Sequence, residues 1–266
     1  MNKTNTAKYL PFQCISPNLV KNPDFPDYPY LRGTGFFCKF PPYEYIFYIT
    51  ARHCLLNDDE SEIKEFLKIP YSEKSSIEPP KAIVFSEYLS TVDKSEKNNE
   101  DILVFVVDNK CITEEEKETL NRRSLSLRHQ DDIDTLIKML CDNHENIRTI
   151  GFSQPNSDES DEHTSISYEE NQQLIARPRG FYGKIRKTSK FENRYGFEES
   201  NWKDEEYRGF SGSPVLALLP INFTSVQPII IGVMLTATKT RGEFLSINVA
   251  TNLIAAYINN KQSQKA

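Results

Sequence analysis

Short apolar runs alternate with long polar stretches along the chain, and the runs have the lengths of strands. Gly33–Phe40 (GTGFFCKF) and Tyr45–Ala51 (YIFYITA) predict a hairpin that turns at Pro41, Pro42, Tyr43 and Glu44. Lys81–Phe85 (KAIVF) and Ile102–Val107 (ILVFVV) are β-branched and bounded by polar residues, and predict two more strands. Residues 58–68 suit one or two helical turns.

The period changes at Thr113, which heads the run TEEEKETL as an N-cap with acidic residues in the first turn. Asp131–Leu140 then places Ile133, Leu136, Ile137 and Leu140 at helical spacing. Residues 113–145 are therefore expected to be a helical connection between two β halves, 1–112 and 146–266. In the second half, Ile147–Phe152, Gly180–Arg186, Pro214–Leu219, Pro228–Thr236 and Glu243–Val249 predict strands. Residues 153–173, rich in Ser, Asp, Glu and Gln, predict an exposed loop. Thr251 is expected to cap a final helix, Asn252–Asn259, with Leu253, Ile254 and Tyr257 on one face.

A length of 266 residues suits one large all-β unit or two packed halves. The 32 basic and 38 acidic residues leave a net charge of −6, which does not attract phosphate backbones and argues against nucleic acid as a partner. No stretch approaches 18 consecutive apolar residues, so no membrane span is expected. The opening MNKTNTAKYLPFQC lacks the apolar run of a secretory leader. The five cysteines, odd in number and without a CxxC pair, fit free thiols in a cytoplasmic protein. The four histidines do not cluster with them at ligand spacing, and neither a metal nor another cofactor is expected.

Three segments carry candidate chemistry. Gly209-Phe210-Ser211-Gly212-Ser213-Pro214 sets a serine between glycines, where the backbone can bend so that N–H groups face a developing oxyanion. A serine hydroxyl needs a base within hydrogen-bond reach. Ile49-Thr50-Ala51-Arg52-His53-Cys54 ends an apolar strand with a histidine, a rigid placement suited to such a base. Asn98-Asn99-Glu100-Asp101 leads into ILVFVV, and an acid at the mouth of so apolar a strand must find a hydrogen-bonded partner. Singly, each also reads as an ordinary feature: a Gly-Ser turn, a core or surface histidine, a loop-capping aspartate.

Together, ITARHC, DILVF and GFSGSP resemble the His, Asp and Ser segments of the trypsin-like serine peptidase family, in the chain order of the chymotrypsin group. The resemblance runs roughly from Gly33 to Ile258 and is nearer to intracellular or HtrA-like bacterial members than to secreted trypsins. It implies an all-β fold of two packed six-stranded antiparallel barrels, with a helical insertion and a C-terminal helix. It implies a serine endopeptidase with His53, Asp101 and Ser211 as catalytic residues and the backbone N–H groups of Gly209 and Ser211 as oxyanion hole. The substrate side chain would be received by the strand 231–237, including Leu235 and Thr236, and by Gly242. Glu205 stands near the position of the trypsin pocket acid, although Asp204, Glu205 and Glu206 also read as a solvated acidic turn.

Two departures bear on regulation. The zymogen aspartate of trypsins is replaced by Phe210, so activation by a freed amino terminus is not expected. The half-cystine partner of Cys54 aligns near Arg32 and is absent. The expected partners are a protein or peptide substrate and a regulatory protein. The alternatives are a catalytically silent binding module of the same fold and an esterase using the same triad.

Overall fold

The computed structural model describes residues 11–20, 30–55, 67–68, 83–91, 100–153, 166–168, 174–176, 178–187, 191–202, 207–222, 225–238 and 240–264. The first half holds β1 (Ile15–Val20), β2 (Tyr30–Lys39), β3 (Ile46–Thr50), β4 (Leu67–Lys68), β5 (Phe85–Ser90), β6 (Leu103–Val107) and β7 (Leu125–Ser126). They form one seven-stranded sheet in the order β4-β1-β2-β3-β6-β5, with β7 added parallel to β2. The strands β3 (IFYIT) and β6 (LVFVV) are buried at every position, which explains why both read as continuous apolar runs rather than alternating ones.

The second half holds β8 (Asn146–Gly151), β9 (Ile166–Tyr168), β10 (Leu174–Ala176), β11 (Arg179–Lys187), β12 (Arg194–Glu198), β13 (Pro214–Asn222), β14 (Ser225–Ala237) and β15 (Arg241–Ser246). Six of these close a barrel in the order β11-β12-β15-β14-β13-β8, and β9 pairs with β10 apart from it. The predicted closed barrel thus appears in the second half. Among the described residues the first half is an open sheet.

Between the halves lie α1 (Glu114–Arg122) and α2 (Gln130–Asp142). Thr113 caps α1 in a reciprocal capping box: its hydroxyl takes the Glu116 N–H at 3.2 Å and its own N–H donates to Glu116 Oε2 at 2.7 Å. Ile133, Leu136, Ile137 and Leu140 are the buried face of α2, as their spacing requires. The C-terminal helix α3 (Ile247–Ser263) starts earlier than the sequence pattern indicates. Ser246, not Thr251, is its N-cap and accepts the Asn248 N–H at 3.3 Å, while Thr251 lies inside the helix with its hydroxyl donating to Ile247 O. The β-branched Ile247 and Val249 mimic a strand because both are buried.

The floor of the site is a buried polar chain across β1, β2 and β3. Tyr48 Oη donates to Asn18 Oδ1 at 2.7 Å, Asn18 Nδ2 to Thr50 Oγ1 at 2.8 Å, and Thr50 Oγ1 to the Thr34 carbonyl at 2.8 Å. All four residues are fully buried, so these bonds fix the strands against one another. One apolar cluster runs through both halves. Among the described residues no helix is long and apolar enough to cross a membrane, and no group of three or more His, Cys, Asp or Glu could hold a metal. All five cysteines are free thiols.

Candidate active site

His53 sits in a short 3-10 turn, Arg52–Cys54, directly after the buried strand β3. The strand is rigid and ends one residue before the turn, so the imidazole emerges at its tip. Asp101 lies just before β6, which pairs with β3 through Thr50 and Leu103. That pairing brings two residues 48 apart in sequence into double contact. The His53 N–H donates to Asp101 Oδ1 at 2.8 Å, and Nδ1 meets Oδ2 at 2.5 Å. Burial alone would lower the His53 pKa, but the hydrogen bond to Asp101 and the neighbouring Cys54 sulfur outweigh it and raise the pKa well above its usual value. Burial likewise pushes Asp101 up, and is outweighed by the hydrogen bond and charge of His53, with Arg194 adding to them, so that its pKa is lowered.

The other ring nitrogen, Nε2, lies 3.7 Å from Cys54 Sγ, and that sulfur is 3.6 Å from the Ser211 carbonyl. One buried thiol therefore separates the imidazole from the Ser211 backbone. Gly33, with φ of +116°, faces the same sulfur: a Cβ there would lie 2.6 Å from Sγ and 2.8 Å from the Ser211 carbonyl. The residue opposite Cys54 is thus Gly33, one beyond the Arg32 suggested by alignment.

Ser211 heads the second barrel's contribution, three residues before β13. Its hydroxyl donates to the Leu235 carbonyl at 2.9 Å. Among the described residues no hydrogen bond joins Ser211 to His53, so Asp101 and His53 are held together while the Ser211 hydroxyl is turned aside. Leu235 is available because the β14–β15 register shifts between Met234 and Thr236. Gly212, with φ of +84°, lets the turn press against the first half, since a Cβ there would be 2.0 Å from the Thr34 carbonyl. No acceptor among the described residues takes the backbone N–H of Gly209 or Ser211.

Of the residues expected to receive a substrate side chain, Leu235 is buried and Thr236 is exposed. Gly242 lies over Met234 and Trp202, whose atoms would stand 2.7 and 3.3 Å from an added Cβ. Glu205 lies outside the described residues, as does most of 153–173. Sequence reasoning passed over Thr34, Arg194 and Trp202. Trp202 stacks on Phe197 at 5.2 Å and donates to the Thr238 carbonyl at 3.0 Å. Arg194 reaches back to Glu100, beside Asp101, at 3.9 Å. Each makes a hydrogen bond or ion pair with a partner distant in sequence, which no local signal marks.

No protein-family model matches the chain. No curated protein matches it. Matches among solved structures are many, 267 chains, so the architecture is a widely used one. A mutant of human heparin binding protein (CAP37) aligns with a TM-score of 0.55 over 95% of this chain and 95% of its own, at 11% sequence identity. The chain has a chymotrypsin-like fold. At that identity the likeness speaks for the fold alone.

Proposed function

We propose that the chain is a serine endopeptidase in which Ser211 is the nucleophile, His53 the general base and Asp101 the residue that orients and charges the base. The observation that carries this reading is the double contact of Asp101 with His53 beside the turn Gly209–Gly212, in which the Gly209 and Ser211 N–H groups have no acceptor among the described residues. To react, the Ser211 hydroxyl leaves the Leu235 carbonyl and turns to Nε2. Its proton passes to His53 as Oγ bonds to the substrate carbonyl carbon, and the carbonyl oxygen takes the negative charge. Gly209 and Ser211 N–H groups stabilise that oxygen. The C–N bond then breaks as His53 returns the proton to the leaving amine, and water releases the acyl group by the same steps in reverse roles. The five free thiols suit a reducing compartment, so a cytoplasmic enzyme is part of the proposal.

A second reading is favoured by the Ser211–Leu235 hydrogen bond: a protease-like binding module in which the serine stays turned aside. The heparin-binding name of the solved neighbour does not support a polyanion ligand here, because the chain is acidic overall. The test is reaction of the full chain with a fluorophosphonate probe, against Ser211→Ala. Labelling at Ser211 supports the peptidase. An inert native chain that is folded supports the binding module.

A further inference from the structure

We propose that Thr34 is the positioning residue of the oxyanion turn, and that with Phe210 it holds Gly209–Ser211 in working geometry without a charged amino terminus. This rests on the reading of Ser211 as nucleophile. Thr34 lies on β2, in the opposite half of the molecule, and is fully buried. Its N–H donates to the Ser211 carbonyl at 2.8 Å. Its hydroxyl donates to the Gly209 carbonyl at 3.0 Å and accepts the Phe152 N–H at 2.9 Å. The direction of these bonds is settled by chemistry: the Phe152 N–H can only donate, so the single hydroxyl proton goes to Gly209. Both carbonyls that flank Phe210 are therefore tied to one residue.

The side chain between them is tied as well. Phe210 is fully buried, with its ring 5.1 Å from that of Phe181. Where a charged side chain at this position would need an opposite charge, Phe210 needs only an apolar pocket, and β8 and β11 supply it. Gly151 on β8 keeps that pocket open, since a Cβ there would lie 3.0 Å from Phe210 Cδ1.

The turn leading into this segment is closed by one backbone hydrogen bond. The Phe210 N–H donates to the Tyr207 carbonyl at 3.3 Å, closing a four-residue turn over 207–210. Gly209 stands third in it with φ of +84°, and Arg208 is not among the residues with positive φ, so the turn is type II. Types I and II differ by a flip of the central peptide, which here is Arg208–Gly209 and carries the Gly209 N–H. A glycine makes that flip easy. Thr34 on Gly209 O and the pocket around Phe210 fix the peptide that follows Gly209, so in this type II turn the Gly209 N–H keeps its place relative to Ser211.

The test compares the full-length chain with Thr34→Val, Thr34→Ala and Thr34→Ser, each reacted with a fluorophosphonate. Two quantities are read separately: the final fraction labelled, which counts folded sites, and the limiting labelling rate, which reports stabilisation of the developing charge. Losing an entire oxyanion donor costs roughly a hundred- to a thousandfold. Misplacing one should slow labelling about ten- to a hundredfold in Thr34→Val and Thr34→Ala, with the final fraction unchanged. Thr34→Ser keeps the hydroxyl and should stay within about threefold of the native rate. An unchanged rate in folded Thr34→Val overturns the role of Thr34 and leaves the peptidase reading standing. Failure of both Thr34→Val and Thr34→Ala to fold also overturns it, by assigning the hydroxyl to the fold. Absence of labelling in the native chain removes the peptidase reading itself.

Discussion

Asp101 grips His53 at two points, one carboxylate oxygen on the backbone N–H and the other on Nδ1 of the ring. A single contact would leave the ring free to swing about the hydrogen bond. Two contacts fix both the turn and the imidazole plane, and they leave Nε2 as the nitrogen that can serve a nucleophile.

The pairing sets a pH dependence. A base must be neutral to accept a proton, and the His53 pKa is raised, so the acid limb of the labelling rate should lie above the pH of about 6.5 typical of a free histidine. Replacing Asp101 by Asn removes the partner that raises it and leaves the wrong tautomer, and should slow labelling by roughly three to four orders of magnitude. For stability the signs run oppositely in the two partners. The raised His53 pKa contributes stability that is complete below about pH 6.5 and lost as pH rises through the folded value. The lowered Asp101 pKa contributes stability above the ordinary aspartate range, lost as pH falls through the folded value. Melting temperature against pH should peak between these limits, and Asp101→Asn should flatten the peak.

Gly212→Ala should be among the most damaging single methyl additions. The new Cβ would lie 2.0 Å from the Thr34 carbonyl and 2.3 Å from Thr50 Oγ1, at a positive φ. The left-handed conformation alone costs about 1–2 kcal/mol, and crowding in a packed site about 1–3 kcal/mol more. Urea denaturation should show the loss. A stability change within the scatter of surface variants would contradict this close approach.

Phe210 offers a contrast between size and charge. Phe210→Leu keeps an apolar filler and should retain most labelling. Phe210→Ala leaves a cavity and should cost about 3–5 kcal/mol. Phe210→Asp buries a carboxylate in a site packed by Phe181 and closed by Gly151, and should not fold. Circular dichroism with the phosphonate endpoint separates the three outcomes.

Much of this site was legible before any coordinates, and the reason is local. Histidine after a buried strand, aspartate before another, and serine between glycines are signals carried within six residues each. The strands β3 and β6 were readable because burial on both faces removes the polar alternation. Other features were not, for equally physical reasons. β1 is interrupted by Pro17 and Asn18, which look like a break, yet Asn18 is a fully buried link in the hydrogen-bond chain to Thr50. The start of α3 was hidden because a serine cap and a following buried Ile-Asn-Val read as strand continuation. The turned-aside Ser211 hydroxyl depends on a register shift in a strand more than 20 residues away, which no motif encodes.

The thiols should divide by access. Cys111 is exposed, whereas Cys14, Cys38 and Cys54 are buried, and burial pushes the Cys14 thiol up to about 11 and the Cys38 thiol higher still. An aromatic disulfide reagent at neutral pH should titrate Cys111 first, with Cys141 slower. The remaining three should react only on unfolding. Rapid modification of Cys54 in the native chain would show that the wall between His53 and Ser211 opens to solvent.

The Thr34–Gly209 contact spans 175 residues of chain, and its span has a consequence for how the molecule is made. A ribosome delivers the amino-terminal half first, at about 5–20 residues per second. On the peptidase reading, the acid and base can meet as soon as β6 is out, but the nucleophile is still to be translated, and the clamp on its turn joins β2 to the segment just before β13. For the interval between the two, roughly ten seconds, the nascent chain holds a base with nothing to activate. On the peptidase reading, a chain of this layout could not cleave nascent chains, its own included, until the last of these parts had arrived.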